Sequence, residues 1–211
     1  MDLWMFHRDD PEVPVGPLVD ECNRQVQAGR IHAYGGSNWS LERIREANAY
    51  AEANGLTGFA CTSPNYSLAE QVESPWGPDC LTISGPANRG VREALTAEAF
   101  PVLSWSSLAR GFLSGRITRQ NVEEVRADFE EHVFRCYESA DNWERLARAE
   151  RLADEKSVSV AQIALAFVLR QPMNLFALVA AYSEEEAMAN AATLDIDLTP
   201  AELAWLDLAD G

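Results

Sequence analysis

The chain has 211 residues, 47% of them hydrophobic and 24% charged, with a formal net charge of -16 at pH 7. That length suits one domain with a sizeable core, and the composition is that of an ordinary globular chain. So acidic a chain argues against a nucleic-acid backbone or an anionic membrane surface as partner, and no apolar run approaches the roughly 20 residues of a membrane span.

In chain order, Asp2 to His7 is a short apolar run ended by Arg8-Asp9-Asp10-Pro11, which predicts a buried strand with Leu3, Met5 and His7 on one face. Pro17 to Ala28 carries apolar residues at helical spacing and is closed by Gly29. A second strand runs from Ile31 to Gly36, a second helix from Ser40 to Asn54, and a third strand from Leu56 to Thr62. Alternation at this pace is the mark of parallel βαβ units. Between Ser63 and Pro86 the chain turns irregular and rich in Pro and Gly, with Trp76 in the middle. A loop of that length in a compact domain is usually functional, and Trp76 either lines a pocket or packs onto the core.

Gly90 to Ala99 predicts a short helix, and Phe100 to Trp105 a fourth strand. The next segment, Ser106 to Arg116, interleaves small residues with Arg110 and Arg116, which suits a loop whose amides and guanidinium groups hold phosphate. It lacks the GK[ST] ending of a P-loop, and no GxGxxG follows a strand. Residues 118–138 read as a charged excursion with one helix. Asp141 to Glu144 and Ser159 to Gln162 match the capping-box pattern and open helices reaching Lys156 and Arg170. Leu175 to Ala180 predicts a fifth buried strand. Ser183 to Glu186 caps one more helix, and Thr199-Pro200-Ala201-Glu202 caps the last.

Two features bear on chemistry. Gly35-Gly36-Ser37-Asn38 closes the second strand, where a hydroxyl and a carboxamide stand at the carboxyl end and glycine lets backbone approach a ligand. A carboxamide both donates and accepts, so Asn38 can pair with an amide such as that of nicotinamide; a plain strand end with a helix cap is the alternative. His7, likewise, is either a site residue or an ordinary strand terminus. Cys22, Cys61, Cys80 and Cys136 lie far apart with no CxxC, which predicts reduced, mostly buried thiols of a cytoplasmic protein with no secretory leader. The three histidines are as scattered, and no metal site is expected.

Taken together, these motifs resemble the aldo-keto reductase family, a (β/α)8 barrel that uses a nicotinamide cofactor. Asp2 to His7 resembles the family's fourth strand and its active-site histidine, and Gly36-Ser37-Asn38 the fifth-strand motif that holds the nicotinamide carboxamide. Tyr66-Ser67-Leu68 follows a sixth strand. Trp105-Ser106-Ser107-Leu108-Ala109-Arg110-Gly111, with Ser114-Gly115-Arg116, is similar to the seventh-strand cofactor loop. Ala180 to Asn190, then Leu198-Thr199-Pro200, is similar to the eighth strand and the adenosine-side helix. The resemblance implies that Ser37, Asn38 and Ser63 hold the carboxamide, that Trp105 stacks on the nicotinamide ring, and that Ser106, Leu108, Arg110 and Arg116 wrap the pyrophosphate. Asn190 then stands on the adenosine side, and His7 orients a small carbonyl substrate.

Three departures accompany it. Ser63 replaces a usual glutamine; Ala180 and Glu186 replace residues usual at the adenosine end, and a carboxylate there would repel a 2′-phosphate, so NAD and NADP both stay open. The family's general-acid tyrosine, its lysine and its aspartate have no counterpart: the only lysine is Lys156, on an outer helix, and none of the five tyrosines has the acid's context. The expectation is therefore an α/β chain, residues 1–211 as one domain, forming strands four to eight of a (β/α)8 barrel. It carries much of a nicotinamide-dinucleotide site, is truncated and inactive alone, and a partner chain could complete the barrel. The alternative is a non-catalytic module that binds the cofactor or another subunit.

Overall fold

A computed structural model describes residues 1–209. Five strands, β1 (Leu3–Phe6), β2 (Ala33–Ser37), β3 (Thr62–Ser63), β4 (Val102–Ser104) and β5 (Leu175–Ala177), form one parallel sheet whose spatial order is the chain order. Parallel neighbours in chain order need crossover connections, and the right-handed form that such crossovers take puts their helices on one face of a sheet. The helices are α1 (Val15–Gln27), α2 (Leu41–Ala53), α3 (Arg89–Ala97), α4 (Val122–Val125), α5 (Glu131–Tyr137), α6 (Ala140–Lys156), α7 (Val160–Leu169), α8 (Glu184–Ala192) and α9 (Pro200–Leu206). None of them is long and apolar enough to cross a membrane.

Two apolar clusters hold these layers together. Val15, Val19, Tyr34, Ile44, Ala47 and Phe59 join α1 and α2 to β2. A larger cluster, with Leu68, Val102, Phe112, Tyr137, Leu146, Ile163 and Phe167, joins β4 to α5, α6 and α7. Each fully buried side chain of this size contributes about 1.5–3 kcal/mol.

The strands at the two ends of the sheet depart from expectation. None of Leu3 to Phe6 is buried, and Phe176, Leu178 and Val179 are exposed. A continuous apolar run predicts a strand covered on both faces, but β1 and β5 are the sheet's edges, each with one neighbour. Phe6 also turns inward, packing beside Trp39 and Phe59. The third strand, Thr62–Ser63, shares only Thr62 with the predicted run of Leu56 to Thr62, because side chains from the helices take the backbone bonds of residues 57–59. The Thr57 amide donates to Asn23 Oδ1 at 2.9 Å and the Phe59 amide to Asn48 Oδ1 at 2.7 Å. Asp141 does not cap α6: it lies within the first turn, and Ser139 Oγ accepts from the Asn142 amide at 3.1 Å. The capping boxes at Ser159 and Thr199 form as predicted.

Candidate functional site

The carboxyl ends of β2, β3 and β4 meet around one atom, the Ser63 carbonyl oxygen. Ser37 Oγ donates to it at 3.0 Å, the Asn38 amide at 3.1 Å and the Trp105 indole Nε1 at 3.2 Å. Ser37 ends β2 and is registered with Ser63 on β3, which fixes the first two donors. Trp105 follows β4, and its own amide donates to the Pro64 carbonyl at 3.2 Å. Four residues singled out by resemblance, Ser37, Asn38, Ser63 and Trp105, are thus gathered at one end of the sheet.

Asn38 is 7% exposed and adopts φ +59°, a left-handed conformation that asparagine tolerates better than most residues. Its Nδ2 donates to the His7 carbonyl at 3.1 Å and to Ser37 Oγ at 3.1 Å, and its Oδ1 accepts from the Leu81 amide at 3.1 Å. Both amide hydrogens are thereby engaged, leaving one carbonyl lone pair for another partner. Gly35 and Gly36 do not open space for a ligand. A Cβ on Gly35 would lie 2.6 Å from Cys61 Sγ, and one on Gly36 would lie 2.7 Å from the Trp39 ring. These glycines serve close packing of the sheet against its neighbours.

The His7 ring is exposed beyond the end of β1. The chain after it is fixed on α2: Arg43 binds Asp9 through two contacts of 2.9 and 3.2 Å and donates to the Val13 carbonyl at 2.8 Å. Arg8 Nη1 contacts Cys80 Sγ at 2.9 Å, drawing the long loop toward β1.

The loop after β4 is strained. Ser106, Ala109 and Arg110 have φ of +56°, +50° and +56°, and Gly111 and Gly115 are positive as well. The amides of Ala109, Gly111, Phe112, Leu113 and Ser114 donate to carbonyls of residues 106–111, so the turn is closed largely on itself. Leu108 packs partly buried against the larger core cluster. Arg110 is already occupied, with Nη2 2.8 Å from Glu130 and its guanidinium 4.5 Å from the Trp76 ring centre. His132 also faces Glu130, at 2.9 Å. Arg116 is exposed and lies over the Phe129 ring at 4.9 Å. Asn190, on α8, donates to the Ala180 carbonyl at 3.2 Å and so fastens that helix to the segment after β5.

The donor set fits a nicotinamide dinucleotide unevenly. The exposed Arg116 suits a pyrophosphate, although five of the loop's amides are engaged within it, and the Trp105 indole suits a planar ring. Asn38 retains only an acceptor site for an amide.

Sequence reasoning missed three participants: Glu130, His132 and Asn65. The Asn65 side chain ties the Trp105 carbonyl at 3.2 Å to Thr82 Oγ1 at 2.8 Å, and Tyr137 Oη lies 3.3 Å from Asn65 Nδ2. No spacing in the sequence signals contacts between residues 40 and 72 positions apart.

Burial pushes Tyr34 up to about 12 and raises Tyr66 and Tyr137 as well, while Tyr182 is 96% exposed. Lys156 is paired with Glu202 at 2.7 Å on the outer helices. Among the described residues, no group of three His, Cys, Asp or Glu is placed to hold a metal ion.

Comparison with known proteins gives this arrangement a lineage. The sequence pattern described as Aldo/keto reductase family matches residues 1–210. Versiconal hemiacetal acetate reductase of Aspergillus parasiticus is 25% identical over 209 residues, covering 98% of this chain and 56% of that protein. A probable voltage-gated potassium channel subunit beta of Oryza sativa subsp. japonica is 26% identical over 201 residues, 93% of this chain and 57% of that protein. The chain therefore spans a little over half the length of these curated relatives. A crystal structure of a thermostable aldo-keto reductase in complex with the inhibitor epalrestat superposes with a TM-score of 0.68 at 19% identity, over 98% of this chain and 59% of that one. Sequence pattern and fold agree, and the chain belongs to the aldo/keto reductase family.

Proposed function

We propose that this chain supplies the cofactor-binding part of an NAD(P)-dependent aldo-keto reductase, with β1 to β5 standing as strands four to eight of a (β/α)8 barrel. The observation that carries this reading is the Ser63 carbonyl, which collects Ser37, Asn38 and Trp105 at the carboxyl ends of the parallel strands. Sites in parallel α/β folds lie at that end. In this reading Trp105 stacks on the nicotinamide, and Ser106, Leu108, Arg110 and Arg116 surround the pyrophosphate. Ser63 and Asn38 border the carboxamide, and Asn190 stands near the adenosine. When bound, the dinucleotide supplies the hydride that a small carbonyl compound accepts. His7 lies beyond β1, where its ring can hydrogen-bond the carbonyl oxygen. Four unpaired, buried cysteines agree with a cytoplasmic setting.

The alkoxide formed by hydride transfer needs a positioned proton donor. The raised tyrosines and the engaged lysine favour a second reading, in which this polypeptide binds cofactor without turnover and works as a regulatory or interaction module. Titration with NADH and NADPH, followed by energy transfer from tryptophan, tests the shared premise. Trp105→Ala should weaken binding about fivefold, the equivalent of roughly 1 kcal/mol of aromatic stacking. Unchanged affinity in that variant removes the stack. Carbonyl-dependent oxidation of the bound cofactor by this chain unaided would overturn the module reading.

A further inference from the structure

Resting on that cofactor reading, we propose that residues 73–79 are a lid over Trp105, latched by Arg135 and released when an anion takes Arg110. The flanks of the lid are fixed. On one side Asn142 binds both the amide and the carbonyl of Glu70 at 2.8 Å, and the Val72 amide donates to the Cys136 carbonyl at 2.8 Å. On the other, Leu81 is held through its amide by Asn38 and through its carbonyl by the Asn65 amide at 2.8 Å.

The tip between them has few ties. Ser74 Oγ donates to the Gly77 carbonyl, and Gly77 turns at φ +105°. Among the described residues, the hydrogen bonds and ion pairs that tie residues 73–76 to other elements run through one side chain, while Trp76 also meets the Arg110 guanidinium and the His132 ring. Arg135 pairs with Glu73 and donates to the carbonyls of Ser74 and Pro75 at 3.3 and 3.2 Å. Trp76 completes the closure, 52% exposed and with its ring centre 6.0 Å from that of Trp105. A planar ring between two others needs about 7 Å, two carbon contacts of roughly 3.5 Å each. The face of Trp105 toward Trp76 is therefore shut to a nicotinamide ring.

Arg110 couples the lid to ligand. Its guanidinium lies beside Trp76 while its charge is satisfied by Glu130. A pyrophosphate competing with Glu130 for that guanidinium withdraws the cation from the indole, so the group that recognises phosphate also loosens the lid. Binding then costs the opening of the lid: if it is shut in about nine molecules of ten, apparent affinity is tenfold below intrinsic.

Two variants of the 211-residue chain test this, Arg135→Gln and Trp76→Ala, each titrated with NADH and NADPH and followed by amide hydrogen exchange. The lid predicts faster exchange across residues 73–79 in Arg135→Gln and about tenfold tighter binding in both variants. In the wild-type chain, added cofactor should also speed exchange there. Weaker binding by Trp76→Ala makes Trp76 a wall of the site and overturns the lid. Faster exchange with unchanged affinity, or unchanged exchange in Arg135→Gln, overturns it too while leaving the cofactor reading intact. Absence of binding by all three proteins defeats the cofactor reading itself, and the lid with it.

Discussion

Asn38 is the residue on which the site's geometry turns, and its contribution is measurable as stability. Replacing it with Ala strands the His7 carbonyl and the Leu81 amide, two partly buried groups that each cost about 1 kcal/mol, the low end of the range for an unpaired buried group. It also places alanine at φ +59°, which adds strain that asparagine bears more easily. Asn38→Ala should lower the urea-unfolding free energy by about 3 kcal/mol, summing these terms. A loss under about 1 kcal/mol, within the range of a single ordinary hydrogen bond, contradicts the hub. The sequence made Asn38 a candidate because an amide at a strand end is visible in the chain itself. Its partner Leu81 was not legible, since the two are 43 positions apart and meet only because the long loop folds back over β2 and β3.

At the scale of elements, local chemistry decides what could be foreseen. Ser159 with Gln162, and Thr199 with Glu202, close reciprocal caps at the starts of α7 and α9. Each satisfies backbone donors that the helix leaves open. Ser159→Ala and Thr199→Ala should each lower stability by about 1 kcal/mol in chemical denaturation, and their effects should add because the two sites share no partner. Asp141 and Glu144 are a similar polar pair at the same spacing but form no box, because Ser139 accepts from the Asn142 amide and starts the helix earlier. The segment before β3 read as a strand for a related reason. Its apolar pattern is that of a strand, and only tertiary structure shows that Asn23 and Asn48 take its amides. Helix starts are written within four residues; the fate of a backbone amide that reaches across to another element is not.

For the whole molecule, the open edges of the sheet set the behaviour in solution. The apolar runs at β1 and β5 predicted strands correctly in place but not in burial, because burial depends on a neighbour that a lone run cannot specify. At β5, Phe176, Leu178 and Val179 are 57%, 50% and 54% exposed beside unpaired backbone. Such an edge accepts another strand. Opposing this is a net charge of -16, which makes copies of the chain repel one another. The two effects respond differently to salt. At about 0.1 M the Debye length is near 10 Å and repulsion between surfaces falls away, whereas burial of apolar area is little affected. Self-association, followed by sedimentation velocity, should therefore rise with ionic strength. Lysine at the edge is a common defence of natural sheets, so Phe176→Lys should suppress that rise even though it lowers the net negative charge. Association that falls with salt, or persists unchanged in Phe176→Lys, would mean that charged surfaces rather than the β5 edge bring the copies together.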